Sequence, residues 1–243
     1  MRFGSRRISV PDPRSLIPES PVLDIPSPPV LLTNWLVNKR RRPVRDTRAA
    51  LFRAAAAEFA ARGYDAAGTD RIATRARVNK AMLYYHFGSK RDLYVEVVRD
   101  MVGAVGARVR AIADGPGSAE QKLDAWISAL VEEAAARPWF PPIMLRELAA
   151  GAPHFDAGTF QMMNAVLAGV RDVIEQGQRE GQFRDVDPLL AHLSILPPVL
   201  IFFVRQRVLA ATKVRDGLAE PRRLEDFVRH MQTSARGMLR RPS

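Results

Sequence analysis

The feature that most constrains the fold is a helical spacing of apolar residues. From residue 46 to the end of the chain, apolar side chains recur three and four positions apart, in segments separated by short turns rich in glycine and proline. No segment alternates between apolar and polar residues for long enough to indicate a strand, and no repeat of fixed length is present. The sequence therefore predicts an all-α protein.

Three short helices and one long helix are predicted first, over residues 46–63, 70–76, 80–86 and 90 to about 109. Asp46 or Thr47 is expected to cap the first helix, and Thr69 the second. Gly88 is expected to end the third helix. Ser89, followed three residues later by Asp92, resembles a capping box at the start of the fourth.

Five further helices are predicted in the rest of the chain, over residues 118–137, 141–150, 155–180, 187–213 and 220–240. Pro138 is expected to break the first of these, because proline removes a backbone donor and clashes with the preceding turn. We expect three parts in all: an arm over residues 1–43, a first helical domain over 44–99, and a second over 100–243.

The arm carries 8 of the 18 prolines and ends in the basic run Lys39-Arg-Arg-Arg42. Such a composition is typical of a flexible segment. Two interpretations of the basic run remain open: it is simply solvated, or it adds contacts to a polyanion. A separate hypothesis is that part of the arm lies upstream of the natural start. Met1-Arg-Phe-Gly-Ser-Arg-Arg7 is not followed by an apolar stretch, so we expect no secretory signal and a cytoplasmic protein.

Positive charge is concentrated at the N-terminal end. The net charge is +11, and residues 1–45, 46–99 and 100–243 contribute +6, +4 and +1. A basic end of this kind indicates a polyanionic partner. The chain has no cysteine, which excludes disulfides, thiolate metal sites and cysteine nucleophiles.

Two short helices joined by a tight turn, supported by an apolar first helix, are typical of a helix-turn-helix that binds double-stranded DNA. The first residues of its second helix are expected to face base edges, namely Lys80, Ala81 and Met82. Leu83 and Phe87 are expected to anchor that helix. The residues expected to contact phosphates are Thr69, Tyr84, Tyr85, His86 and Lys90.

At these residues the chain resembles the DNA-binding domain of the TetR family of transcriptional regulators. The resemblance covers residues 46–99 and is carried by Phe59, Gly63-Tyr64, Thr69-Asp-Arg-Ile-Ala-Thr-Arg-Ala-Arg-Val78, Leu83-Tyr-Tyr-His-Phe87 and Ser89-Lys-Arg-Asp-Leu93. It implies a homodimeric regulator, usually a repressor, that leaves a palindromic operator when a small molecule binds the C-terminal domain. It does not imply an operator sequence, because the positions of Lys80, Ala81 and Met82 vary within the family.

Dimerisation is expected through the last two helices, as a four-helix bundle. Residues 189–204 are apolar almost all round, which fits a helix covered by its own domain on one side and by a partner on the other. The candidate interface residues are Leu200, Phe203, Phe227 and Met231. A membrane span is the competing interpretation, and a 16-residue stretch interrupted by Pro197-Pro198 is too short for it.

A small, lipophilic effector is expected in the second domain, because methionine and aromatic side chains suit an adaptable apolar pocket. The candidate lining residues are Trp139, Phe140, Met144, Glu147, Phe160 and Met163. At helical spacing the same side chains more often form ordinary core, so both interpretations remain open.

Two other functions are weighed. An enzyme would have to use His154 with Glu147, since the chain lacks the common catalytic and nucleotide-binding motifs; no metal and no cofactor are expected. A DNA-binding protein without an effector is the other alternative, and it would lose no operator affinity on addition of small molecules.

Overall fold

A computed structural model describes residues 44–212 and 221–241, which contain nine α-helices. The helices are α1 Val44–Ala66, α2 Thr69–Ala76, α3 Lys80–Phe87, α4 Lys90–Asp114, α5 Ala119–Ala136, α6 Phe140–Ala149, α7 Ala157–Arg179, α8 Pro188–Thr212 and α9 Pro221–Leu239. The predicted arm over residues 1–43, with its basic run, lies outside the described residues.

The all-α prediction is confirmed. In the two described ranges, strand-like pairing is limited to an isolated antiparallel bridge between Phe183 and Arg240. We call α1–α3 and the first turns of α4 the head, and the rest of α4 with α5–α9 the body. Helix α4 passes through both, since it packs on α1 and α3 near its start and on α5 and α7 along its length.

The predicted capping chemistry is confirmed at the start of α4. It is wrong for α1, which begins at Val44, so that Asp46 and Thr47 lie inside the helix. Ser89 accepts a hydrogen bond from the backbone N–H of Asp92 at 3.0 Å, and Ser118 forms a capping box with Gln121 at the start of α5. The prediction for Thr69 is wrong: Gly68 occupies the N-cap position of α2, and Thr69 is the first helical residue. Glycine serves there because it adopts the extended conformation of a cap at little steric cost.

Gly63 interrupts α1 three residues before its end, with φ 77° and ψ 176°. Positive φ is accessible to glycine at no cost from a Cβ atom. A Cβ at this position would also lie 3.0 Å from Cδ of Arg146, a residue of α6. Gly63, which was predicted to end α1, therefore changes the direction of the chain within α1. It does so at the point where α6 of the body approaches the head.

The centre of the body is a continuous apolar core between α4, α5 and α7. Its fully enclosed side chains include Met101, Trp126, Ile127, Leu130 and Ile174. Nearer the start of α4, Leu93 and Val97 continue this core into the head, with Phe59 and Leu83. One buried surface thus links the helix-turn-helix to the body.

Helix α8 runs through Pro197-Pro198 for 25 residues, close to the predicted range 187–213. The argument that its apolar part is too short for a membrane is wrong, because Pro188–Ala211 is long enough by length and composition to cross one, and only 22% of the relevant window is buried. One side contributes Ala191, Ile195, Val199 and Leu200 to the protein core. A helix that packs on the core with one side and exposes apolar residues on the other has the same length and composition.

Candidate DNA-binding surface and effector cavity

Helix α3 is held by two buried anchors. Asn79 caps its start by accepting from the backbone N–H of Ala81 at 2.8 Å. Leu83 and Phe87, one turn apart, are buried, whereas Tyr84 and Tyr85 are 45% and 75% exposed. The two tyrosines therefore point away from the core, as a surface that contacts a phosphate backbone requires.

The three predicted base-reading residues differ in their exposure and in their partners within the protein. Ala81 is exposed, and Met82 is half-buried against the core. Lys80 donates to Oδ2 of Asp70, on α2, at 3.0 Å. That hydrogen bond is the largest cause of a raised pKa for Lys80, so the ammonium is charged and already has an acidic partner.

Three of the residues predicted to contact phosphates are hydrogen-bonded or partly buried within the protein. Lys90 lies with its Nζ 4.5 Å from the centre of the Tyr64 ring and donates to the carbonyl of Asp65 at 3.3 Å. Thr69 is half-buried. The Nε2 atom of His86 is buried without a hydrogen-bond partner in the described structure. His86 would have to turn outward to reach a phosphate.

A cleft between α1 and the end of α2 carries a cationic group that the sequence analysis missed. Arg53, Arg75 and Arg77 line it, over a floor of alanines, and its volume is about 430 Å³. Within residues 44–212 and 221–241 these three arginines have no ion pair, although other arginines of the head, such as Arg48 and Arg71, are paired. The available signal was the net charge of residues 46–99.

A cavity of about 220 Å³ lies in the body, bounded by α4, α5, α6, α7 and α8. Of the candidate ligand residues, Phe140, Met144 and Met163 line it. Trp139, Glu147 and Phe160 are not among its lining residues. Helix α8 contributes four lining residues that the sequence did not predict: Leu189, His192, Leu193 and Leu196. Those residues looked like interface or core because the pattern of α8 is apolar on all sides.

Glu147 lies instead in a buried polar cluster between body and head. It accepts a hydrogen bond from the hydroxyl of Tyr94 at 2.5 Å and pairs with Nδ1 of His154 at 2.8 Å. The ring of Tyr64, from α1, packs on His154 with 4.2 Å between ring centres. Burial and the bond to Glu147 raise the pKa of the Tyr94 hydroxyl, which therefore stays protonated and donating.

Helix α6 consequently contacts both the cavity and the head. Phe140, Met144 and Leu148 line the cavity. On the other side, Glu147 holds Tyr94, and the guanidinium of Arg146 donates to the carbonyl of Phe59, in α1, at 3.1 Å. A displacement of α6 at the cavity would thus be felt directly at the end of α1.

The candidate interface residues are only partly on the surface. Leu200 and Met231 are buried in the core of the same chain, and Phe203 and Phe227 are partly buried. The uncovered apolar residues of α8 include Leu190 and Ile201, both more than half exposed. Because α8 is apolar all round, its sequence does not indicate which side faces inward. Leu200 was therefore predicted at the dimer interface although it is buried.

The pair proposed for an enzyme, His154 and Glu147, lies beneath the rings of Tyr64 and Tyr94 and away from the cavity. Within the described residues, no group of three or more acidic or histidine side chains is placed to hold a metal ion. The geometry fits a structural role between helices.

Known proteins match both halves of the chain. Residues 51–97 match the family described as bacterial regulatory proteins, tetR family, and residues 120–234 match the tetracyclin repressor-like C-terminal domain. A transcriptional repressor of Streptomyces coelicolor, SCO4008, is 32% identical over 58% of this chain and 70% of its own length. The repressor NicS of Pseudomonas putida is 27% identical over 65% of this chain and 74% of its length. The solved structure of the ketosteroid regulator KstR2 of Mycobacterium tuberculosis superposes with a TM-score of 0.65 at 24% identity, over 80% of this chain and 95% of that one.

Proposed function

The chain belongs to the TetR family of DNA-binding transcriptional regulators, and we propose that it is a homodimeric repressor that a small lipophilic molecule releases from a palindromic operator. The observation that carries this proposal is the cavity, because two of its walls, α4 and α6, also contact the head. Residues 44–99 would form the DNA-binding domain, and residues 100–243 the effector and dimerisation domain.

On the DNA, Lys80, Ala81 and Met82 are proposed to read base edges. The proposed phosphate contacts are Thr69, Tyr84, Tyr85, His86 and Lys90. The exposure of both tyrosines supports their role. To donate to a base, Lys80 would have to give up its hydrogen bond to Asp70. Contact with the wrong base would then be less favourable than no contact at all.

In the dimer, α8 and α9 are proposed to pair with their copies. Leu190 and Ile201 are about three helical turns apart and so share one face of α8. On α9, Ser234 and Gly237 are exposed, and a Cβ at Gly237 would meet nothing within 4 Å. Small residues allow two helices to approach closely, which supports a bundle at this surface.

Release from DNA would follow from a population shift. An effector in the cavity would favour a position of α6 and α4 in which the contacts of Arg146 and Glu147 hold the head at a different angle. The two heads of a dimer must fit major grooves one helical turn, about 34 Å, apart. A modest change in their separation would therefore weaken binding without any change at the reading residues.

The test is a footprint on the promoter of the protein's own gene and its neighbours, combined with a reporter for each bound promoter. We expect two protected half-sites about one helical turn apart, and higher expression when the gene is deleted. Lower expression on deletion would identify an activator. Operator affinity that responds to none of a broad panel of lipophilic compounds would favour a regulator without an effector.

A further inference from the structure

Among the described residues, those that line the cavity include no charged side chain. Twelve of the fourteen are valine, leucine, methionine or phenylalanine, and the other two are Asn164, which is exposed, and His192. An isolated carboxylate or ammonium transferred to such surroundings loses its hydration and gains no counter-charge, which is strongly unfavourable. A charged group of an effector would have to remain outside.

His192 interrupts this apolar wall. Its ring stacks on Trp126 with 5.9 Å between ring centres and 10° between planes, which fixes its orientation. Its Nδ1 is buried without a hydrogen-bond partner in the described part of the chain. Burial lowers the pKa of His192, so the ring is neutral at pH 7 and offers one donor and one acceptor.

From the wall and from His192 we infer that the effector is an uncharged molecule with an apolar body and one hydroxyl or carbonyl group, which hydrogen-bonds to His192. This inference rests on the proposed role of the cavity as the effector site. An engineered cavity of about 150 Å³ holds benzene, so 220 Å³ suits a molecule of on the order of ten non-hydrogen atoms. Leu148, Leu189 and Leu193 are each about half exposed and mark the opening between α6 and α8.

The test compares three probes of equal chain length: 1-octanol, octanoate and octylammonium. Binding to the full-length protein is measured by calorimetry, with tryptophan fluorescence as a second readout because Trp126 touches His192. We expect 1-octanol to bind and both ions to bind at least about tenfold more weakly, since neither ion finds a counter-charge.

Variants assign the hydrogen bond. His192→Leu should weaken 1-octanol binding about fivefold, the effect of losing one neutral hydrogen bond. His192→Gln, which keeps a donor and an acceptor, should largely restore it. His230→Leu is the matched control, since His230 is an exposed histidine on α9 outside the cavity. Leu193→Lys, which adds a cation at the opening, should turn the preference toward octanoate.

The inference is overturned if octanoate binds the unmodified protein as well as 1-octanol does, if no probe binds up to its solubility, or if His192→Leu and His192→Gln behave alike. Operator affinity is measured separately. If 1-octanol binds through His192 and the operator affinity does not change, the inference about the cavity stands and the proposed release mechanism fails.

Discussion

Arginines that join the helices of the body have acidic partners, whereas one group of arginines in the described part of the head does not. In the body, Arg108, Arg110 and Arg236 each reach a carboxylate on another element and so join the helices of the bundle. In the described part of the head, Arg53, Arg75 and Arg77 line one cleft without an acidic partner. Cations that are paired within the chain hold it together, whereas unpaired cations at a surface are available to a polyanion.

The same contrast applies to the buried polar groups. Glu147 has both of its partners, Tyr94 and His154, where the body meets the head. His192, in the cavity wall, has a buried nitrogen without a partner in the described residues. A satisfied cluster fixes a geometry, and an unsatisfied group in a cavity leaves room for a ligand.

The largest effects are expected from truncating one core leucine in each region. Leu83→Ala and Leu130→Ala should each lower the free energy of unfolding by about 2–5 kcal/mol, because both side chains are fully enclosed. Only Leu83→Ala should also abolish operator binding, since Leu83 anchors α3. Chemical denaturation and a mobility-shift assay check both. Equal weakening of DNA binding would mean that head and body are a single cooperative unit.

The next largest effects are expected at the junction between head and body. Glu147→Ala should lower the free energy of unfolding by about 1–3 kcal/mol, because Tyr94 and His154 lose a buried partner. Glu147→Gln should cost less, since an amide oxygen still accepts from the Tyr94 hydroxyl. Thermal denaturation measures both variants.

The junction also has a functional readout. If α6 transmits the effector signal, Glu147→Ala should reduce the ratio of operator affinities measured without and with ligand, while ligand affinity stays within a few-fold. An unchanged ratio would remove α6 from the mechanism and leave α4 as the next connection to test.

The head was more predictable than the body because its signals are local. The capping residues Asn79 and Ser89 and the anchors Leu83 and Phe87 lie within one or two turns of the features they determine. One failure is local, because Gly68 and not Thr69 caps α2. Other failures involve distance: the partners of Lys80 and Lys90, which are Asp70 and Asp65, come from other helices. Spacing along one helix contains no information about such contacts.

In the body, the helices were predicted, but the lining of the cavity was predicted only in part. Met144 and Met163 were chosen by residue type, and the same criterion selected Phe160, which is outside the cavity. Glu147 was assigned to a ligand and instead binds Tyr94. Whether an apolar residue faces a cavity or a neighbour depends on how five helices pack, and helical periodicity is identical in the two cases.

The arginine cleft gives a smaller effect, confined to DNA binding. The double variant Arg75→Ala with Arg77→Ala should weaken binding to operator and random DNA alike, and should reduce the slope of log K against log salt by about 0.9 for each phosphate that is no longer neutralised. Arg171→Ala is the matched control, an exposed arginine on α7, in the body. Weaker binding to the operator alone would make these arginines base readers instead.

The smallest effect is a pH dependence that belongs to the body. Burial lowers the pKa of His192 in the folded protein below the usual value of 6.5. As the pH falls below 6.5, the unfolded chain binds a proton at this residue and the folded protein does not, so stability declines until the lower folded pKa is reached. Above pH 6.5 both states are neutral there, and the contribution is constant. His192→Gln should therefore flatten the fall in melting temperature between about pH 7.5 and pH 5.5, the window spanning the unfolded pKa, whereas His230→Gln, at an exposed position, should not. If the variant and the unmodified protein lose stability in parallel over this range, His192 is solvated in the folded state, and His192 then gives the described cavity wall no buried polar group without a partner.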